Sequence, residues 1–141
     1  MNVPEEVKVQ REQSRDFEWQ YYMLHNTVDV SQDLSQCGIT AIPDCFLTQC
    51  YYLQNLYLEG NRLTELGEAF FPSLRNLKWL DVRNNLLKTI PATIADHSAL
   101  QVLLLEGNLI EALPIEIGSL PSLRGIQLGR NPIMYPPQDI V

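Results

Sequence analysis

The feature that most constrains this chain is that it repeats itself. Four segments superpose in register: LQNLYLEGNRLTEL from Leu53, LKWLDVRNNLLKTI from Leu77, LQVLLLEGNLIEAL from Leu100 and LRGIQLGRNPIMYP from Leu123. A degenerate copy, DVSQDLSQCGITAI, precedes them from Asp29. The common frame is L-x-x-L-x-L-x-x-N-x-L, with one more apolar residue three positions on. Its N column holds Cys37, Asn61, Asn85, Asn108 and Asn131, at spacings of 24, 24, 23 and 23 residues. A unit this short cannot bury its own apolar side, so the copies must stack and share one interior.

The frame can be read as chemistry. Its L-x-L portion alternates, which is strand periodicity. Leu56 and Leu58 point inward around Tyr57, Leu80 and Val82 around Asp81, and Leu103 and Leu105 around Leu104. Stacked copies then form a parallel sheet over a common core. Leu63, Leu87, Ile110 and Ile133 turn inward after the strand, followed by Leu66, Ile90 and Leu113 and then by Phe70, Ile94, Ile117 and Ile140 on the return arm. Pro43, Pro91 and Pro114 follow the last apolar residue of their units, where a fixed φ suits an irregular arm of turns and short 3-10 pieces. EAFFPSL, in the repeat that lacks such a proline, is read as a short helical turn. The Asn column is structural: a buried amide carries donors and an acceptor, and can tie the turn's backbone to the next coil. Cys37 is tolerated there as a small, weak donor.

This frame resembles the leucine-rich-repeat family over about residues 29–141. The L-P-x-x-I run at Leu113-Pro114-Ile115-Glu116-Ile117, with Trp79–Asn85 and Leu103–Glu106, resembles its intracellular scaffold class. The resemblance implies an α/β solenoid with one parallel strand per 23–24-residue repeat on the concave face, and turns and short helical pieces on the convex face. It also implies a protein-interaction role without catalytic residues, and more chain beyond the repeats, so that this sequence reads as a piece of a longer protein. The repeats are placed at 29–52, 53–76, 77–99, 100–122 and 123–141, the last truncated, after a helical or partly disordered capping segment at 1–28.

Composition narrows the function classes. The chain is 45% hydrophobic and 19% charged, which suits a folded core. A net charge of −7 repels nucleic acid and anionic lipid, so neither is an expected partner. MNVPEEVKVQREQ contains no apolar stretch of a secretory signal, and no apolar run is long enough to span a bilayer. Cys37, Cys45 and Cys50 are odd in number, and no Asn-x-Ser/Thr sequon occurs; both agree with reduced thiols and a cytoplasmic, intracellular address. The cysteines form no C-x-x-C pair for zinc, and no phosphate-binding or dinucleotide glycine pattern is present. His25 and His97 fall on different segments and are read as solvated surface residues, and Cys45 and Cys50 as half-buried thiols. The expectation is therefore no enzyme, cofactor, metal or small-molecule substrate. An enzyme remains open only as a further domain for which these repeats serve as the recognition arm.

In the capping segment Phe17, Tyr21 and Leu24 fall at helical spacing, and the segment is expected to cover the first coil near Leu34 and Ile39. A second reading makes it a partner-binding helix using Trp19 and Tyr22. At the other end Ile126, Leu128, Ile133 and Ile140 are expected to be poorly shielded.

The outward strand positions form three columns: Ser31, Asn55, Trp79, Val102, Gly125; Asp33, Tyr57, Asp81, Leu104, Gln127; and Ser35, Glu59, Arg83, Glu106, Gly129. A solvated sheet face should be polar, and Tyr57, Trp79, Val102 and Leu104 break that rule. Trp, Tyr and Arg are the residue types enriched in binding hot spots. The expected site is a protein-binding patch centred on Trp79 and Leu104, with Tyr57 and Val102 beside them and Glu59, Asp81, Arg83 and Glu106 around it. The competing reading is a surface ion ladder, with Arg83 flanked by Glu59 and Glu106.

Overall fold

The computed structural model describes residues 17–26 and 28–134. Five three-residue strands lie side by side in chain order: β1 (Ser31–Asp33), β2 (Asn55–Tyr57), β3 (Trp79–Asp81), β4 (Val102–Leu104) and β5 (Gly125–Gln127). All neighbours are parallel, and the register pairs Ser31 with Asn55, Trp79, Val102 and Gly125 in turn. The columns read from the sequence are therefore physical columns, whose successive members step about 4.8 Å from strand to strand.

The middle residue of each strand faces the interior. Leu56, Leu80 and Leu103 are wholly buried, together with Leu58, Val82, Leu105 and the inward turn residues Leu63, Leu87 and Ile110. The return arms are short, as expected. They are α2 (Asp44–Gln49), α3 (Phe70–Ser73) and 3-10 turns at Ala92–Asp96 and Ile115–Ser119. Pro43, Pro91 and Pro114 stand immediately before three of these helices, with φ of −80°, −62° and −60° and extended ψ. Each ring presets the entry φ where no donor is needed.

The Asn column spans two coils in every copy, and it ties to the preceding coil where the sequence reading had the next one. Asn61 Oδ1 accepts from the Cys37 and Ile39 amides at 3.0 and 2.9 Å, and its Nδ2 donates to the Leu34 and Leu58 carbonyls. Asn85 bridges Leu63 N to the Leu58 and Val82 carbonyls. Asn108 and Asn131 repeat the pattern one and two coils further on. The direction explains Cys37: in the first coil a bridging amide would have no earlier repeat to reach, and the thiol donates locally to Ser35 O.

The residue before each ladder position has a positive φ: Gln36 54°, Gly60 75°, Asn84 57°, Gly107 73° and Arg130 55°. Only glycine, and to a lesser degree Asn, adopts this region without strain. The inner repeats carry Gly or Asn, and the two end repeats carry the strained Gln and Arg.

The capping segment is a helix, α1 (Trp19–His25), and it covers the N-terminal coil. Of the expected face, Phe17 and Tyr21 pack against the core, but Leu24 is 75% exposed and Tyr22 is the residue fully buried. Trp19 packs edge-on against Phe46 of α2 with ring centroids 5.1 Å apart, and Phe17 packs on Trp19 at 4.8 Å. Tyr22 donates to Gln32 Oε1, the polar residue that replaces leucine in the first strand's core position. Trp19 and Tyr22 are thus spent on the cap, which overturns the partner-helix reading for these residues. Residues 1–16, Ile140 and the rest of 135–141 lie outside the described residues.

Candidate partner-binding site

Trp79 opens β3 and is 38% exposed. Alternation leaves it outward because Leu80, next to it, takes the interior. Its cross-strand neighbour is Val102, half-buried, and the next residue in that column is Gly125. An added Cβ at Gly125 would lie 3.5 Å from Val102, and one at Gly129 would lie 3.4 Å from Glu106. These two glycines leave Val102 and Glu106 approachable from the C-terminal side, whereas Leu104 is flanked there by Gln127. Tyr57 and Leu104 are half-buried and stand on either side of Asp81 in the second column.

Asp81 departs from the expectation of an exposed rim charge: it is buried. Arg83, two residues on and so on the same face, folds back over it with Nε donating to Oδ1 at 2.9 Å and NH2 to Oδ2 at 2.7 Å. The Arg83 amide donates to Oδ1 as well, as the Ser35 amide does to Asp33 in the first coil. The hydrogen bonds to Asp81 raise the Arg83 guanidinium above its ordinary value, despite some loss of hydration, with smaller contributions from the Asp81, Glu59 and Glu106 charges. The surface ladder is therefore not what forms. Among the described residues the ion pair within 4 Å is Arg83–Asp81, and Glu59 instead accepts from Asn84 Nδ2 at 3.0 Å. The eight expected residues do share one face, but the Asp81–Arg83 pair separates Tyr57 from Leu104. The tight apolar core of the patch is Trp79 with Val102.

Two exposed leucines escape the sequence reading. Leu86 and Leu109 follow the ladder asparagines of consecutive coils and stand on the rim. The signal is present: both occupy the x of N-x-L, where a solvated turn calls for a polar residue.

The convex side carries a depression of about 340 Å³ lined by Phe71, Pro72, Arg75, Thr93, Asp96, His97 and Ser98. His97 is buried, contrary to its reading as a solvated residue. Its Nδ1 accepts from Leu100 N at 3.2 Å and its Nε2 faces Leu74 O at 2.8 Å, so the ring staples the arm of one coil to the next. With both nitrogens engaged by backbone, it offers no base to Ser98. Cys45 is exposed and Cys50 buried, where both were expected half-buried, and the cysteines form no disulfide among the described residues. Burial raises the Cys50 thiol above its ordinary value. No described helix is long and apolar enough to cross a membrane.

A one-sheet solenoid with an interrupted polar face is a recognisable class of repeat protein, and comparison with known proteins agrees. The family described as leucine rich repeat matches residues 52–110. PH domain leucine-rich repeat-containing protein phosphatase 1 of Homo sapiens is 30% identical over 111 residues, covering 77% of this chain and 6% of that protein. Leucine-rich repeat-containing protein 51 of Bos taurus is 27% identical over 129 residues, covering 86% of this chain and 67% of that protein. An LRR protein of Leptospira interrogans superposes with a TM-score of 0.63 at 39% identity, over 69% of this chain and 24% of that one. The chain thus spans a small fraction of some relatives and about two thirds of another. Its fold is the leucine-rich-repeat solenoid, and domains of this kind generally mediate protein–protein interaction.

Proposed function

We propose that this chain is a protein-interaction module, an intracellular scaffold element that grips a protein partner on the concave sheet through Trp79, Val102 and Leu104, with Tyr57, Glu59, Asp81, Arg83 and Glu106 around them. The observation that carries the reading is Trp79, a large ring 38% exposed on a strand face where a solvated sheet calls for polar residues. The likeness of Trp79–Asn85 and Leu103–Glu106 to leucine-rich repeat-containing protein 27 belongs to this reading, as do the expectations of no nucleic-acid, membrane or small-molecule ligand. Cys37, Cys45 and Cys50 outside any disulfide favour a reducing compartment.

The test is binding by the partner with purified proteins. Trp79→Ala and Leu104→Asp should each weaken it tenfold or more while circular dichroism and the unfolding midpoint stay close to wild type. Unchanged binding by both folded variants removes the concave face from the proposal. A second reading, the recognition arm of a larger enzyme, is favoured by the likeness to a phosphatase of which the matched region is only 6%. It predicts that the partner of this face is a substrate of the catalytic domain to which the repeats are joined.

A further inference from the structure

The sheet's pairing extends one residue ahead of its strands. Lys78 N donates to Gln54 O at 2.7 Å, Gln101 N to Lys78 O at 2.8 Å and Arg124 N to Gln101 O at 2.9 Å. Gln54, Lys78, Gln101 and Arg124 thus form a further column, each next in the chain to Asn55, Trp79, Val102 and Gly125. Lys78 and Arg124 are exposed, with half-buried Gln101 between them. The Arg124 guanidinium donates to Gln101 Oε1 at 3.3 Å, which draws it along the column and keeps the Gln101 amide nitrogen as a donor. Neither cation is in an ion pair among the described residues. Segments 51–54, 75–78, 98–101 and 121–124, which make up this edge, contain no carboxylate. Asp96, the carboxylate that precedes Gln101 in its coil, lines the convex depression with Arg75. Asp29, on the first coil, accepts from the Ser31 amide. The carboxylates of the inner coils stand at the far end of the strands, Asp81 on Arg83, Glu59 on Asn84 and Glu106 beside Gly129. Charge on this face is therefore arranged along the strand: two cations, then Trp79 and Val102, then a mixed group of both signs.

We infer, building on the concave-face reading above, that the occupant of this face is an acidic protein segment in which an aspartate or glutamate adjoins a large apolar residue. Its carboxylate lies over Gln101, one strand step of about 4.8 Å from Lys78 on one side and from Arg124 on the other. All three side chains can donate to it, two of them with charge. The apolar neighbour covers Trp79 and Val102, which are paired across β3 and β4 one residue further along. A basic segment seated on the same two residues would set its charge against Lys78 and Arg124, which is the costly juxtaposition. The chain's net charge of −7 opposes approach from a distance, but salt screens exposed charges beyond about 8 Å, whereas these donors touch the ligand.

The experiment uses a short fluorescent peptide of repeated leucine–glutamate pairs separated by glycines, and matched peptides carrying glutamine, lysine or phosphoserine at the glutamate positions. The glutamate peptide should bind to the full chain more tightly than the glutamine peptide, and the lysine peptide should not bind. Lys78→Gln with Arg124→Gln, both exposed positions, should weaken the glutamate peptide about tenfold and leave the glutamine peptide unchanged. Arg62→Gln with Lys88→Gln makes the same change of net charge beyond the far end of the strands, and should weaken the glutamate peptide less than about twofold. Equal effects of the two double substitutions would show diffuse attraction and overturn the inference. So would tightest binding of the lysine peptide, no binding by any peptide, or binding of the phosphoserine peptide alone, which would make the occupant a phosphorylated segment. If glutamate and glutamine peptides bind equally and both are weakened by Trp79→Ala, the acidic occupant fails while the concave face stands. If Trp79→Ala changes nothing for a peptide that binds, both fail.

Discussion

The two ends of this solenoid solve the same problem differently. Among the described residues, the first and last coils each have a core side that no neighbouring described repeat covers. At the first coil α1 lays Trp19 and Tyr22 over Phe46, with Phe17 packed on both, and the polar Gln32 placed in the core column is met by the Tyr22 hydroxyl. At the C-terminal end Ile126 holds the position that Leu56, Leu80 and Leu103 occupy wholly buried, yet it is 37% exposed. The lesson is that the repeat frame specifies the shared interior, whereas the cover over the first coil comes from residues that leave the frame, Gln32 and the aromatic residues in and before α1.

That contrast can be broken at its strongest point first. Tyr22→Ala or Phe46→Ala should cost about 3–5 kcal/mol, the range for emptying a packed aromatic site, read from the urea midpoint. Leu103→Ala, mid-core, should cost about 2–5 kcal/mol, and the matching Ile126→Ala about 1 kcal/mol. Equal losses at Leu103 and Ile126 would mean that the last coil is as well packed as the others. The ladder grades the same way. Asn85→Ala strands buried groups of two coils and should cost about 1–3 kcal/mol, while half-buried Asn131 should cost less. An Asn85→Ala protein that melts like wild type would remove the ladder from the energetics.

Much of this is legible in the sequence because repetition averages out local ambiguity. Register and the Asn column follow from five aligned copies, and the strand pairings reproduce the register residue for residue, although the ladder's direction is the reverse of the one read. What is not legible belongs to single copies. Asp81 looks like any outward residue until Arg83 folds over it, a choice of rotamer that spacing does not encode. His97 looks solvated on an arm whose neighbour is 23 residues earlier in the chain, where Leu74 O waits. The helix face is ambiguous because Phe17, Tyr21 and Leu24 and the observed Phe17, Trp19 and Tyr22 both contain aromatic residues at plausible spacing. Only contact with Phe46 decides between them. The positive-φ column is in plain view at Gly60, Asn84 and Gly107, but Gln36 and Arg130 disguise it. Gly107→Ala should therefore cost about 1 kcal/mol, since the backbone there is at φ 73° and a new Cβ would press on Asn84.

The smallest expected effect also separates the two ends, and it is a pH dependence. Burial raises the Tyr22 hydroxyl well above its ordinary 10.0, and raises Tyr52 to about 12. Both folded forms hold their proton more tightly than the unfolded chain does. The stability they confer is whole below pH 10 and falls as the pH climbs from about 10 through 12, where the unfolded chain ionises first. Buried Cys50, also raised from an ordinary 9.0, adds to the loss and extends it slightly lower. All three lie at the capped end, so alkaline loosening should begin there, and amide exchange in α1 and α2 should quicken before that in β4. Tyr22→Phe keeps the ring and removes the ionisation. It should cost about 1 kcal/mol at neutral pH, from the lost bond to Gln32, and flatten the decline above pH 10. A decline as steep in the Tyr22→Phe protein as in wild type would show that the cap's closure does not depend on that proton.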